Sequence, residues 1–306
     1  MAPSNLHPKH TTMPPLLAYQ MPAMPTIQQA LTTPFVAAPL KFTSQQCEDH
    51  LFQRYFLTHV QQSQRTRRTY LELGANNGVS MSNTHALYTH LGWRGLLIEA
   101  TPSHCQQLGS NRPHDVIMCA AVCDASFGGN LSFTMSEAGD NAIGHSVEMG
   151  TAATWSADRG KQRRMRTVTV PCRPLSQFLA TAGLEYVDLF SLDVEMQELK
   201  VLKTIDWKRF RFGVAFVELE CPGKVNAISV QDARVRHLLS KHGYEFLMRV
   251  RGNDVWIDRS LPWVRQGAER AIEAARSRKM LGCMLDRECG DGKGAVFAWT
   301  PSHGQQ

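Results

Sequence analysis

Apolar residues recur along this chain in two alternating rhythms, short continuous runs and helical spacings of three and four. The runs predict strands at Tyr70–Leu73, Leu96–Glu99, Val116–Val122, Val187–Asp193 and Val214–Leu219. Two more, Tyr244–Val250 and Val255–Asp258, flank Gly252-Asn253 and predict a closing antiparallel hairpin. Between the runs, Thr84, Leu87, Tyr88 and Leu91 share one helical face that ends at Gly92. Thr101-Pro102 opens a second helix, and Pro174 leads a third, with Leu175, Phe178, Leu179 and Ala182 on one face and Gly183 closing it. Further helices are expected near Met196–Ile205 and Val230–Lys241. Strands alternating with helices imply an α/β fold with a mostly parallel, seven-stranded sheet covered on both faces.

Three stretches break the alternation. Residues 1–47 hold eight of the fifteen prolines and no acidic residue, which predicts a disordered Pro-rich arm; an organelle-targeting role is the alternative, although no arginine precedes Arg54. Residues 124–172 form an insertion with short strands at Leu131–Met135 and Thr167–Val170, long enough to act as a substrate lid. Beyond Leu261, residues 261–306 read as a helix followed by a glycine-rich tail, able to pack on the core or serve a partner. The body, residues 48–260, is then one enzyme-sized domain.

Composition adds little. The 43% hydrophobic content and 20% charge of the 306 residues are ordinary for a globular protein, and a net charge of +6 does not indicate nucleic acid or membrane. No apolar stretch approaches the ~20 residues of a membrane-spanning helix. The eight cysteines contain no C-x-x-C pair and match no zinc spacing, so they read as mostly free thiols in a reducing, cytoplasmic compartment, with no metal expected.

The chemistry concentrates where strands end. "YLELGANNG" carries the first strand into a loop bounded by Gly74 and Gly78, where backbone can approach a ligand closely. Glu99 ends the second strand, placed to accept two hydrogen bonds from a ribose diol. A nicotinamide dinucleotide would use the same acid but wants G-x-G-x-x-G against its pyrophosphate, and here Asn76 stands between the glycines. A ribose without a pyrophosphate fits better, and S-adenosylmethionine is such a ligand.

The string "YLELGANNGVSMSNTHALYTHLGWRGLLIEATPSHCQQL", followed by "NRP", "AAVCD" and "VDLFSLDVEMQELKVLKTIDW", resembles the FkbM family of S-adenosylmethionine-dependent methyltransferases over roughly residues 66–258. The resemblance implies a class I methyltransferase-like (Rossmann-like) fold and methyl transfer, in characterised relatives, to a hydroxyl of a sugar or small molecule. Carried over by position, it implies cofactor contacts from Glu72, Gly74, Asn76, Gly78, Ser82, Asn83 and Glu99, and an acidic set of Asp193, Glu195 and Glu198. The family usually reads D-V-E-G-A-E where this chain has Met196 and Gln197, which bears on acceptor choice or activity. A non-catalytic binding protein that keeps the cofactor fold is therefore a second reading, and a nicotinamide-dependent oxidoreductase a third.

Asp193 and Glu195 are the candidate catalytic pair, one to deprotonate or orient the acceptor hydroxyl; capping of the next helix is an equally good use. Glu218, Glu220 and His145 are the reserve candidates for a base, whereas His104 reads as a solvated loop histidine. "RGKQRRMR" places five basic residues in eight; Arg163, Arg164 and Arg166 could dock an acidic acceptor or simply face solvent. Nucleic acid has little support, since Trp155 is the lone aromatic nearby.

Overall fold

The structure, a computed structural model, describes residues 42–65, 67–136, 144–146, 165–219 and 230–277. Its centre is a seven-stranded sheet in the order β10-β11-β9-β8-β1-β2-β3. The strands are β1 (Thr69–Leu73), β2 (Arg94–Glu99), β3 (Val116–Cys119), β8 (Tyr186–Leu192), β9 (Arg211–Glu218), β10 (Glu245–Val250) and β11 (Asn253–Ile257). Every pairing from β9 to β3 is parallel, and β11 pairs antiparallel with both β9 and β10. The chain runs outward through β2 and β3 and then returns to the other side of β1 as β8. Strand order therefore reverses between β1 and β8, where open α/β sheets bind their ligands beyond the carboxyl ends.

Both faces are covered, as continuous apolar strands require. On one, Leu71, Leu73, Leu96, Ile98, Leu192 and Val217 pack with the helices Leu175–Ala182 and Val230–Lys241. On the other, Tyr70, Leu97, Leu189, Val214 and Phe216 pack under an N-terminal rod, Glu48–Gln62, whose middle turn Gln53–Leu57 is π-helical. The C-terminal helix Pro262–Arg276 lies on this second face, burying Trp263, Val264, Ala268 and Ala271, with Trp263 edge-on to Phe56. Its apolar stripe serves the core.

Four expectations change. Residues 42–47 are ordered rather than part of a disordered arm: the backbone N–H groups of Thr43 and Ser44 donate to Asp49 Oδ2 (2.8 and 3.2 Å), and the Thr43 hydroxyl donates to the Ser82 carbonyl at 3.0 Å. Residues 1–41 lie outside the described residues. The expected strand Val116–Val122 is two strands, because the chain leaves the large sheet after Cys119. Its continuation β4 (Ala121–Val122) joins β7 (Met165–Arg173), β5 (Asn130–Ser136) and β6 (Gly144–Ser146) in a separate four-stranded sheet built from the insertion.

The cysteines are the third change. Cys105 pairs with Cys119, tying the helix Pro102–Asn111 to β3, and Cys123 pairs with Cys172, tying β4 to β7. Cys47 is also disulfide-bonded, and the described residues contain no free cysteine. Partners distant in sequence carry no spacing signal, so the free-thiol reading and the reducing compartment built on it lose their basis. Fourth, His104 is not a solvated loop histidine but sits in the helix Pro102–Asn111, 6% exposed. Among the described residues no helix is long and apolar enough to cross a membrane.

Candidate active site

Beyond β1 the chain cannot carry a side chain. Gly74 has φ +74°, and a Cβ there would lie 1.9 Å from the Asp193 carbonyl oxygen, so the ends of β1 and β8 meet backbone to backbone. The N–H groups of Gly74 and Ala75 donate to the Ile98 carbonyl at 3.1 and 3.3 Å, and Asp193 N–H donates to the Leu73 carbonyl at 3.3 Å. The loop is thus tied to both neighbouring strands before it turns. It then continues through left-handed Asn76 (φ 49°) to Gly78 (φ 77°), where a Cβ would lie 2.4 Å from Leu108 Cδ1.

Glu99 holds this loop from β2. Its Oε2 accepts from Asn76 N–H at 2.8 Å and its Oε1 from Thr101 N–H at 2.7 Å. It is 7% exposed, and burial raises its pKa against those hydrogen bonds. A carboxylate offers about four acceptor positions, and these two N–H groups, with the Thr101 side chain beside them, do not fill all of them.

Glu72 and Ser82 are engaged with each other and with the chain that follows. Glu72 is buried and accepts from Ser82 Oγ (2.9 Å), Asn83 N–H (2.7 Å) and Thr84 Oγ1 (2.5 Å). Ser82 Oγ in turn accepts from the N–H groups of Thr84 and His85 at 3.3 and 3.1 Å, capping the helix His85–Leu91. Together they fix Asn83, whose Nδ2 donates to Ser191 Oγ at 2.8 Å while its buried Oδ1 has no partner. An unpartnered buried acceptor beside the glycine loop suits the ammonium of an amino-acid cofactor. Together with the Glu99 carboxylate at the end of β2, the residues fit S-adenosylmethionine.

Arg112 ties these pieces together and was not foreseen. Fully buried, it donates from Nε to Asp115 at 2.8 Å, from Nη1 to the Gly78 carbonyl at 2.9 Å, and from Nη2 to Tyr70 Oη (2.6 Å) and Thr84 Oγ1 (3.0 Å). "NRP" was the sole sequence trace of it, since a buried arginine looks like any surface one.

The acidic candidates gather at the ends of β8 and β9. Register aligns Glu72, Ser191 and Phe216 across three strands, and two residues on, Gly74, Asp193 and Glu218 reach the same face. Burial first, then the neighbouring Asp193, with Glu195 and Glu198 behind it, raise the Glu218 pKa well above the carboxyl range. Glu198 accepts from the N–H groups of Val194 and Met196 at 3.3 and 3.2 Å, and burial pushes its pKa up to about 8. Between them Glu195 (φ 53°) and Met196 (φ 70°) are left-handed, a conformation that favours the glycine the family carries at the second position. Among the described residues no three His, Cys, Asp or Glu side chains form a group that could hold a metal ion. Arg163, Arg164 and Glu220 lie outside the described residues; the backbones of Arg166 and His145 stand in β7 and β6, opposite Met135 and Thr134.

The family model for the methyltransferase FkbM domain matches residues 72–246, more than half of the chain and the whole of this site. The chain belongs to the FkbM methyltransferase family. It is an S-adenosylmethionine-dependent methyltransferase of class I fold. The solved structures similar to this FkbM chain include a precorrin-6y C5,15-methyltransferase from Geobacter metallireducens (11% identity, 73% of this chain and 92% of that one, TM-score 0.35). They also include an O-methyltransferase from Bacillus cereus in complex with SAH (14%, 72% and 82%, 0.37) and a fibrillarin from Aeropyrum pernix with natively bound S-adenosyl-L-methionine (12%, 74% and 85%, 0.34). No curated protein matches.

Proposed function

We propose that this methyltransferase acts on a hydroxyl oxygen of a sugar or other small molecule, with Asp193 orienting or deprotonating that hydroxyl and Glu195 beside it. The observation that carries this reading is the backbone contact between Asp193 and Gly74, which brings the acidic residue just past β8 beside the loop that opens the cofactor site. A sulfonium is already a strong electrophile, so positioning supplies much of the rate and a general base adds typically 10² to 10⁴. In this reading Glu99 binds the ribose, Asn83 Oδ1 accepts from the cofactor's ammonium, and the Gly74–Gly78 backbone, Asn76 included, lines the remainder. Glu72 and Ser82 act by holding Asn83.

Residues 48–260 are assigned to the catalytic domain and the insertion 124–172 to an acceptor-side lid. Arg163, Arg164 and Arg166 within it would dock an acidic group on the acceptor. The disulfides favour an oxidising compartment over the cytoplasm.

The test is a screen for S-adenosylhomocysteine release over sugars and hydroxylated metabolites, repeated with Asp193→Asn. That change keeps shape and removes charge; kcat should fall at least a hundredfold while cofactor affinity holds. Surviving kcat with lost binding would move Asp193 into the cofactor site. A binding protein without turnover is the second reading, favoured by the left-handed Met196 where the family has glycine; cofactor binding with no turnover on any acceptor would support it.

A further inference from the structure

The helix that follows Glu99 is held to the sheet by a small face. Of the ten residues of Pro102–Asn111, the buried ones are His104, Cys105 and Leu108, and Thr101 at the N-cap makes no side-chain capping bond. A segment with so little buried surface shifts at low cost. Its far end is pinned by Asn111 Nδ2, which donates to the Asn77 carbonyl at 2.8 Å, and by the buried Arg112, which donates to the Gly78 carbonyl at 2.9 Å. At the near end the tie is covalent: Cys105, buried in the first turn, is disulfide-bonded to Cys119.

Cys119 is also the residue that faces Glu99. In the parallel pairing of β2 with β3 the two are register partners, and the next residue, Ala120, donates its N–H to the Glu99 carbonyl at 3.0 Å. Cys105 N–H donates to the Thr101 carbonyl at 2.9 Å, which sets the sulfur bridge one helical turn from the residue whose N–H meets Glu99 Oε1 at 2.7 Å. Glu99, Ala100 and Thr101 are thus enclosed between the strand partner of Glu99 and a helical turn bonded to that same partner.

We propose that the Cys105–Cys119 disulfide is a positioning clamp for the cofactor site: it fixes the first turn of this helix against β3, so that the N–H groups of Thr101 and Asn76 hold the Glu99 carboxylate from two sides and aim its open acceptor positions at the cofactor ribose. This rests on the reading of Glu99 as the ribose-binding acid. Without the bridge the helix start moves against β3, Thr101 N–H leaves the carboxylate, and Glu99 turns about the one backbone donor left to it, Asn76. The chain stays folded and loses the direction in which the acid is presented.

The second disulfide supplies the contrast. Cys123–Cys172 spans a sequence separation of 49, against 14 for Cys105–Cys119, and it ties β4 to β7 in the smaller sheet. Chain entropy makes the longer loop the larger contributor to stability. Stability and cofactor affinity should therefore rank the two bridges in opposite orders.

Calorimetric titration of S-adenosylmethionine into the full chain, with thermal unfolding alongside, compares the parent with Cys105→Ala plus Cys119→Ala and with Cys123→Ala plus Cys172→Ala. Loss of the first bridge should weaken cofactor binding about threefold to thirtyfold. Loss of the second should keep affinity within about twofold and lower Tm further. Cys105→Ala plus Cys119→Val refills apolar volume and takes the place of the alanine pair if that pair does not fold. A cycle with Glu99→Ala then decides the route: in that background, removing the Cys105–Cys119 bridge should change affinity by less than about twofold, because the group it aims is gone. Parent-like affinity without the bridge, equal losses from both bridges, or the same loss with and without Glu99 would overturn the clamp and leave Glu99 as the ribose acid. If Glu99→Ala alone binds as tightly as the parent, the reading of Glu99 fails and the clamp fails with it.

Discussion

The two halves of the site follow opposite electrostatic logic. Around β1 and β2 each buried acid is met by donors: Arg112 stands against Asp115, Glu72 accepts three hydrogen bonds, and Glu99 accepts two backbone N–H groups. Around β8 and β9 acids face acids, Asp193 against Glu218 with Glu195 and Glu198 alongside, on backbone that turns left-handed. In the proposed function the first arrangement serves as a rigid receptor for the cofactor. The second concentrates strain and charge where that reading places the proton transfer, as functional sites commonly do.

If the cofactor half depends on matched charge, removing its one central cation should do the most damage. Arg112→Met leaves Asp115 and Glu72 buried without their counter-charge, and breaking such a pair costs roughly 3–5 kcal/mol. Thermal unfolding should show a large drop in Tm, and cofactor affinity should weaken because Gly78 and Thr84 lose their common donor. A surface arginine such as Arg209, paired with Glu185 in solvent, should be nearly silent when changed to Met.

A smaller effect separates paired from unpaired burial by pH. Glu48 accepts from Gln46 N–H and Asn253 Nδ2, yet burial pushes its pKa up to about 7. The folded state therefore binds its proton more tightly than the unfolded chain, whose glutamate titrates near 4.5. Its contribution is complete below that value and is lost as pH rises through about 7. Glu48→Gln removes the titration, so Tm measured at pH 5 and pH 8 should fall less in the variant, by on the order of 1–3 kcal/mol in stability. Equal declines would contradict the assignment.

The smallest change sharpens the strained side. Met196→Gly places the residue the family uses at φ 70°, relieving about 1 kcal/mol of left-handed strain. A modest rise in Tm is expected. Unchanged or lowered stability would mean that Met196 packing outweighs the strain.

These differences also explain what could be read in advance. Strand positions, the Gly74–Gly78 loop and Glu99 were legible because apolar runs and turn residues act locally, and local rules survive in one dimension. The break at Ala120 was not, since the apolar run continues from Val116 to Val122 while the chain changes sheets. Cys105–Cys119 and Cys123–Cys172 depend on approach in space that spacing does not encode. Arg112 was missed because charge in a sequence looks solvated, and its burial is decided by neighbours from distant segments. The departure at Met196 was visible as a motif mismatch, but its meaning came from backbone conformation.

The central claim is that the ends of β1 and β2 form a preorganised S-adenosylmethionine site with Glu99 on the ribose. Calorimetric titration of S-adenosylmethionine into the parent and into Glu99→Ala tests it directly. Charge-assisted hydrogen bonds worth roughly 1.5–3 kcal/mol predict that the variant binds about tenfold to a hundredfold more weakly. Equal affinity in the two proteins would contradict the account.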